Sequence, residues 1–332
     1  MKYQDKVVIF CAVWNIKCIA NLGNGLAVGD GVRLISNARK IPLFGEQPVK
    51  DHIGHMDYTL LADCSLLAYQ EIDYQSSSEA KYPAFINAFR TYVFNFIERL
   101  WLQKDCCPAT DRIYLFQKGK GARLHKEFGD LFSSLTNADG GRKMIEFTKT
   151  ELNSAAKKFK IQNQGTELDL EDQRSKTTEF FQPQFGESLA SHKGTRIDRF
   201  WHLLMSARTT RDIGLKTAHY CSAFEALLSS GSSELRHQVA ERITVLTQAA
   251  NPINCYNEVR QIYDIRSRIL HGDAIPKKAD VKQLSIRADK ISRELALLVS
   301  SDHELASVVS GDSKHLNDYF LDLLLSKHHG TS

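Results

Sequence analysis

Residues 196–328 carry apolar side chains at helical spacing in one segment after another, and this pattern limits the possible folds more than any other feature. The segments are separated by the short breaks GSS, NPIN, GDAIPKK and SGDS, which contain residues typical of turns and helix ends. Ser233, and Asn251 or Asn254, are the predicted N-cap residues. Successive helices with short connections pack against one another, so this part is predicted to be an all-α helical bundle.

Residues 1–160 have a different pattern, which predicts a mixed α+β domain. Strands are predicted at VVIFCAVW (7–14), GVRLI (31–35), YTLLADCSLLAYQEI (58–72) and DRIYLFQ (111–117) because these segments are β-branched, aromatic or alternating. An apolar stripe from Phe85 to Trp101 predicts a helix whose first turn contains Pro83, and a helix with a basic face is predicted over 141–159.

The polar, aperiodic segment 161–195 is interpreted as a linker or an irregular excursion. The predicted fold class is therefore α+β with two domains, a β-rich N-terminal domain and a C-terminal helical bundle. A chain of 332 residues is long enough for two separate cores.

Charge and cysteine content narrow the setting without identifying a partner. A net charge of +4 permits contact with nucleic acid but is equally consistent with a mixed-charge surface. The seven cysteines are scattered and contain no CxxC pair, which favours a reducing compartment, the cytoplasm, over a disulfide framework. No stretch approaches the ~20 apolar residues needed to cross a bilayer, so no membrane partner is expected.

Two short motifs are rejected as carriers of chemistry, and a third is kept as a candidate for RNA binding. His52 and His55 lie in a HIGH tetrapeptide, but two histidines without a third ligand do not predict a metal site. The glycines of GNGLAVGDG (23–31) are misplaced for dinucleotide binding and favour a hairpin turn. The basic, glycine-rich loop with Lys118, Lys120 and Arg123 is a candidate to hold an RNA backbone, although a solvated loop is the preferred interpretation. No metal and no cofactor is expected.

The segment YDIRSRILHGD (263–273) contains the residues that suggest chemistry. On a helix, Arg266 falls in the apolar stripe formed by Cys255, Val259, Ile262, Tyr263, Ile269 and Leu270. A buried guanidinium left unpaired costs several kcal/mol, so Arg266 must extend to solvent, pair with a carboxylate such as Glu225, or face a second subunit or an anionic ligand.

Gly272 predicts that the helix ends at His271, where the negative end of the helix dipole favours the protonated imidazole. A fixed cation with a titratable acid or base is what cleavage of an RNA phosphodiester by its own 2′-hydroxyl requires. The competing interpretation is structural: Asp264, Arg268 and His271 recur at i, i+4 and i+7, as on a solvated helix surface.

The C-terminal half resembles a HEPN domain of the Apea-like type. HYCSAFEALLSS (219–230), ELRHQVAERITVLTQ (234–248) and YDIRSRILHGD (263–273) carry the resemblance, and the last contains the family's R-x(4–6)-H motif as Arg266 to His271. The resemblance covers roughly 196–300 and implies a metal-independent endoribonuclease of toxin–antitoxin or anti-phage systems, active as a homodimer with a composite cleft. It also implies that the apolar stripe around Arg266 helps form the seam between the two subunits.

Carried onto this sequence, the resemblance implies that Arg266 binds the scissile phosphate, His271 transfers the proton and Glu225 orients Arg266. Ser267, Asp264 and Tyr263 are expected to support the site, and Arg268 is a further candidate for RNA binding. Ser267 stands where many nuclease members have Asn, Asp or His, so activity is open to question. The alternative is a non-catalytic HEPN module that binds RNA, nucleotide or a partner protein. The expected partners are RNA, a second copy of the chain, and an antitoxin or phage-derived trigger.

Overall fold

The computed structural model describes residues 5–74, 82–118, 124–128, 135–163, 194–231, 233–276 and 279–328. The chain divides into two compact units. The first contains the described residues up to Leu135 together with 142–163, and the second contains 136–141 together with the described residues from 194 onward. Segment 136–141 therefore belongs to the helical unit, although it falls inside the predicted first domain 1–160.

The first unit is built on a six-stranded antiparallel sheet in the order β3-β4-β5-β1-β6-β7, and β2 and β8 form a separate parallel pair. The strands are β1 (Asp5–Ala12), β2 (Ile16–Cys18), β3 (Leu26–Gly29), β4 (Val32–Ile35), β5 (Leu67–Tyr74), β6 (Arg112–Lys118), β7 (Leu124–Phe128) and β8 (Ile145–Phe147). The turn Gly29-Asp30-Gly31 connects β3 to β4, which confirms the predicted hairpin.

Strand β1 lies inside the sheet, and both of its faces are covered. Its side chains from Val7 to Ala12 are at most 1% exposed, as expected for a strand with a packed layer on each side. Phe10 stacks on Tyr114 of β6 and contacts Phe44, which anchors the core on one face. The alternate residues Val7, Ile9 and Cys11 are equally buried on the other face.

Four α-helices accompany the sheet among the described residues: α1 (Gln47–Ile53), α2 (His55–Asp63), α3 (Tyr82–Arg99) and α4 (Lys149–Asn163). The predicted strand at 58–72 is wrong in its first part, because α2 continues to Asp63 and packs Leu61 and Tyr58 into the sheet's core. The helix predicted from Pro83 is confirmed. The helix expected within 141–159 begins only at Lys149, because residues 145–147 pair with β2 instead.

The second unit is a bundle of seven helices among the described residues. They are α5 (Arg196–Thr209), α6 (Ile213–Leu228), α7 (Leu235–Leu246), α8 (Pro252–His271), α9 (Val281–Ser301), α10 (His303–Ser310) and α11 (Ser313–His328). Helix α6 is the central one, since it contacts α5, α7, α8 and α9 and is largely buried. The predicted layout, a β-rich front followed by a helical back, is present.

Helix ends in this unit follow the predicted chemistry only in part. The side chain of Asn251 accepts a hydrogen bond from the Asn254 backbone N–H at 3.0 Å, so Asn251 is the N-cap of α8. The prediction for Ser233 is wrong: Glu234 precedes α7, with a left-handed φ of 53° and no side-chain cap.

Segment 136–141 is hydrogen-bonded into the helical unit. The Thr136 backbone N–H donates to the Arg208 carbonyl at 2.8 Å, and the Thr136 hydroxyl shares its one proton between the Arg208 and Thr210 carbonyls, each 3.0 Å away at the end of α5. Ser285 of α9 donates to the Ala138 carbonyl at 2.5 Å, and Lys282 lies 3.5 Å from the Asp139 carboxylate. The segment thereby connects the end of α5 to the first turns of α9.

Candidate active site at the end of helix α8

Helix α8 ends where the sequence predicts. His271 is its last residue, and Gly272 adopts a left-handed conformation with a φ of 75°. The Gly272 N–H donates to the Ile269 carbonyl at 3.3 Å and the Asp273 N–H donates to the Arg268 carbonyl at 2.8 Å, which is the Schellman arrangement of a helix end. These bonds fix the direction of the chain directly after His271.

Arg266 is held by Glu225 of the neighbouring helix α6. Its Nη2 lies 2.9 Å from Glu225 Oε2, and the Tyr263 hydroxyl donates a hydrogen bond to Oε1 of the same carboxylate. The guanidinium also lies over the Tyr263 ring, 5.4 Å from its centroid. Both carboxylate oxygens are therefore engaged, and Glu225 fixes the position of two side chains of α8.

This cluster is mostly removed from water. The side chains of Arg266 and Glu225 are 26% and 15% exposed, and the Arg266 Nε is buried without a hydrogen-bond partner among the described residues. Burial, followed by the hydrogen bond to Glu225, raises the pKa of the Tyr263 phenol, so its hydroxyl stays protonated and donates. Burial also raises the pKa of the Cys221 thiol, which lies one turn before Glu225 on α6.

The apolar stripe of α8 packs inside its own chain. Cys255, Val259, Ile262 and Tyr263 are at most 9% exposed, as is Ile265, which the helical projection had left off the stripe. Leu270 is the opposite case, since it is 57% exposed. The interpretation that this stripe lines a subunit seam is therefore wrong for the buried residues. Arg266 lies on the stripe because it pairs with Glu225 of the same molecule.

His271 is exposed and lies on a different side of α8 from Arg266. Five helical residues separate them, which corresponds to about 140° around the axis. Among the described residues, no group forms a hydrogen bond or ion pair with the His271 imidazole. One chain therefore presents a fixed, partly buried cation and a separate, accessible histidine.

The other predicted residues of α8 lie on the side of His271. Asp264 is half-exposed and pairs with Arg236 of α7 at 2.7 Å. Arg268 is exposed and donates from Nη1 to the Ala274 carbonyl at 3.2 Å, which connects it to the loop after His271. Ser267 is partly buried. This agrees with the solvated ladder that the spacing of Asp264, Arg268 and His271 predicts.

The remaining candidates do not join this cluster. The side chains of Lys118, Lys120 and Arg123 lie outside the described residues. His52 lies on α1 and His55 begins α2, so HIGH spans two helices. The described residues contain no group of three or more His, Cys, Asp or Glu side chains arranged to hold a metal ion.

The structure adds a feature that the sequence does not reveal, a groove of about 830 Å³ between α8 and α9. Six of the residues that line this α8–α9 groove are Glu258, Asp264, Arg268, Leu284, Arg287 and Lys290. The only trace of it in the sequence is the spacing of Glu258, Gln261, Ile265 and Arg268 along one side of α8. Which side chains of α9 line the groove is set by the packing of α9 against α8, so spacing along the sequence does not identify them.

Comparisons with known proteins add no family or relative. No protein-family model matches the chain, and neither a curated protein nor a solved structure matches it. None of the described helices combines the length and the apolar character needed to span a membrane.

Proposed function

We propose that this protein is a metal-independent endoribonuclease of the Apea-like HEPN type, which cleaves RNA by attack of a 2′-hydroxyl on the adjacent phosphodiester. The observation that supports the proposal is the end of α8, where an arginine fixed by Glu225 and Tyr263 precedes an exposed histidine at the last helical residue. The two side chains supply charge stabilisation and proton transfer, the functions that this reaction requires.

The reaction needs no oxidant or co-reactant. The 2′-oxygen forms a bond to phosphorus and the bond from phosphorus to the 5′-oxygen breaks, which leaves a 2′,3′-cyclic phosphate and a 5′-hydroxyl. One proton leaves the 2′-hydroxyl and one is delivered to the 5′-oxygen. Arg266 would stabilise the extra negative charge on the phosphate, and His271 would transfer a proton.

A second copy of the chain would complete the site. Two proton transfers call for two groups, and each copy offers one exposed His271. Leu270, beside His271, is 57% exposed, and Leu215 at the start of α6 is 45% exposed. Their chain neighbours, Ile269 and Gly214, pack against each other, so the two leucines lie on the same end of the bundle. Such apolar surface supports a homodimer that joins the two helix ends.

His271→Ala tests the assignment directly. With labelled single-stranded RNA in EDTA, the parent protein is expected to produce 2′,3′-cyclic phosphate ends, and His271→Ala is expected to lose at least a hundredfold in rate, as for loss of a general acid–base. The variant is also expected to relieve growth arrest upon expression. Because the side chain is exposed, the melting temperature should stay unchanged.

His303→Ala is the matched control. His303 is also an exposed histidine at a helix end of the same unit, the N-terminal end of α10. This variant is expected to cleave at the parental rate. Equal cleavage or equal toxicity of His271→Ala and the parent would remove the catalytic assignment.

The setting proposed for this activity is a toxin or anti-phage defence effector in the cytoplasm. The first unit would sense a trigger, restrain the nuclease or select the RNA, and an antitoxin or a phage-derived molecule would set its state. Support for a reducing compartment comes from the seven cysteines, which are scattered along the sequence without a CxxC pair and are all buried.

A second candidate is a non-catalytic HEPN module that binds RNA, nucleotide or a partner protein. It is favoured by the burial of the Arg266–Glu225 pair, since an arginine neutralised by its own carboxylate also serves as a structural contact. The ends of incubated RNA separate the two candidates. A module that only binds leaves them unchanged, whereas the nuclease creates new cyclic phosphates.

A further inference from the structure

We propose that the α8–α9 groove binds one nucleotide of the single-stranded RNA, with the base on its apolar floor and a phosphate beside Arg268. The inference rests on the proposed function, because it names the place where the substrate strand is held next to His271. The groove is distinct from the Arg266–Glu225 cluster, because neither of these two residues lines it.

The size and lining of the groove suit a nucleotide. Its volume of about 830 Å³ falls within the range of roughly 300–1,000 Å³ that small-ligand sites occupy. Ile265, Leu284 and Ala279 provide apolar surface, and charged side chains surround it. A flat base with a charged phosphate has the same division into an apolar and an ionic part.

The acidic side chains of the groove are already engaged. Glu258 Oε2 accepts from Arg287 Nε at 2.6 Å, and Asp264 pairs with Arg236 at 2.7 Å. Asp280 accepts a hydrogen bond from the Gln283 backbone N–H at 3.0 Å, as the N-cap of α9. These contacts reduce the repulsion that the carboxylates would otherwise exert on a phosphate.

Two cations of the groove retain most of their capacity. Arg268 is exposed, uses Nη1 for the Ala274 carbonyl, and pairs with no carboxylate among the described residues. A guanidinium has five N–H donors, so several are left for a phosphate. Lys290 is exposed and lies 3.9 Å from Glu294, an ion pair too open to hold the ammonium firmly. Arg268 is therefore the side chain of the groove with donors available for a phosphate, and Lys290 adds positive charge elsewhere along it.

The helical geometry places this anion site on the side of His271. Arg268 and His271 are three residues apart, which corresponds to about 60° around α8 and about 4.5 Å along it. Arg266 is about 160° from Arg268 by the same count. A strand with one nucleotide in the groove would thus extend its next phosphate toward the exposed imidazole.

Binding is tested with the full chain carrying His271→Ala, so that the RNA is not cut. The probe is a fluorescent single-stranded RNA of eight nucleotides. Arg268→Ala is expected to weaken its affinity roughly tenfold, as for one charge-assisted contact, and to lower the slope of log affinity against log salt by about 1. Gln261→Trp, at an exposed position of the groove, is expected to block binding by filling it.

Two control variants lie on the same helix but do not line the groove. Arg260→Ala removes the same kind of side chain, and Asn257→Trp adds the same bulk at an exposed position. Both are expected to bind as the parent does. Equal affinity of Arg268→Ala, Gln261→Trp and the parent would overturn the assignment. Tighter binding of adenosine monophosphate than of the oligonucleotide would also overturn it, in favour of a free-nucleotide site.

Cleavage assays distinguish this inference from the proposed function. In protein that retains His271, Arg268→Ala is expected to raise KM for RNA while kcat stays within about threefold of the parental value. Cleavage that is normal in every groove variant would overturn the groove assignment and leave the nuclease standing. Groove-dependent binding by a protein that never cuts RNA would leave the groove assignment standing and remove the nuclease.

Discussion

The carboxylate of Glu225 fixes the positions of two side chains of α8, Tyr263 and Arg266. It accepts hydrogen bonds from Tyr263 through Oε1 and from Arg266 through Oε2, and this keeps the guanidinium in one orientation beside α6. A nuclease needs such an orientation, and a stable fold also gains from it. On the same variants, stability measurements report what the contact contributes to folding, and activity measurements report what the orientation of Arg266 contributes to cleavage.

Replacing Glu225 is expected to cost stability as well as activity. Glu225→Ala leaves the partly buried Arg266 without its partner, and we expect a loss of about 2 kcal/mol in the free energy of unfolding, below the ~3–5 kcal/mol typical of fully buried pairs. Tyr263→Phe is expected to cost about 1 kcal/mol. Denaturant titration measures both. Because both variants remove contacts to one carboxylate, their effects should be less than additive in the double variant.

The control is Glu294→Ala, which removes a carboxylate that is 40% exposed and only loosely paired with Lys290. Its cost is expected to stay below about 0.5 kcal/mol. A loss at Glu225 no larger than this would show that the Arg266 contact contributes little to the fold.

At the level of elements, the end of α8 depends on Gly272. Its φ of 75° is a conformation that residues with a Cβ adopt at a cost, so Gly272→Ala is expected to lower the free energy of unfolding by about 1 kcal/mol. The same substitution is expected to displace His271 and slow RNA cleavage. Gly272→Asn should be milder, because asparagine tolerates the left-handed region.

Gly231→Ala is the matched control for this element. Gly231 lies in the exposed connection after α6, has no left-handed φ, and has no atom within 4 Å of an added Cβ. Its replacement is expected to change stability by less than about 0.5 kcal/mol, by calorimetry or denaturant titration. If Gly272→Ala and Gly231→Ala have the same stability, the end of α8 does not depend on the left-handed conformation of Gly272.

Elements with a strong 3.6-residue period could be predicted from the sequence. The helices of the back half, α3, and the end of α8 at His271 all follow from apolar spacing and the glycine signal. Residues 58–63 were mistaken for strand, because a short apolar run leading into a real strand has no period of its own. The α8–α9 groove could not be predicted, because it exists only where two helices meet.

The candidate site was predictable to a similar degree. The contact between Glu225 and Arg266 was expected as one of several ways to satisfy a guanidinium on an apolar stripe, and it is present. What spacing did not reveal is the side to which the stripe faces. Packing against α6 rather than against another subunit depends on the tertiary arrangement of the whole bundle.

At the level of the whole molecule, the buried thiols are expected to lower the free energy of unfolding at alkaline pH. Burial raises the pKa of Cys11 from its ordinary 9.0 to about 12, and it also raises the pKa of Cys221. Unfolding exposes these thiols, which then lose protons near their ordinary pKa of 9.0. The folded state therefore binds more protons between that value and about pH 12, so stability falls as pH rises through this window.

The expected slope approaches 1.4 kcal/mol per pH unit for each such thiol, measured by denaturant titration under reducing conditions. Cys11→Ala and Cys221→Ala should each flatten the alkaline slope and leave the profile between pH 6 and 8 parallel to that of the parent. An unchanged alkaline slope in both variants would show that other groups govern the pH dependence.

The placement of segment 136–141 has a consequence for how this gene can be rearranged. A recombination event that joined residues 194–328 to an unrelated front half would lose Thr136, Ala138 and Asp139 together with their hydrogen bonds to α5 and α9. Each unit is compact, yet the segments of the two units alternate along the chain. Recombination that moves the helical unit into another protein would have to include residues 136–141 or replace their hydrogen bonds.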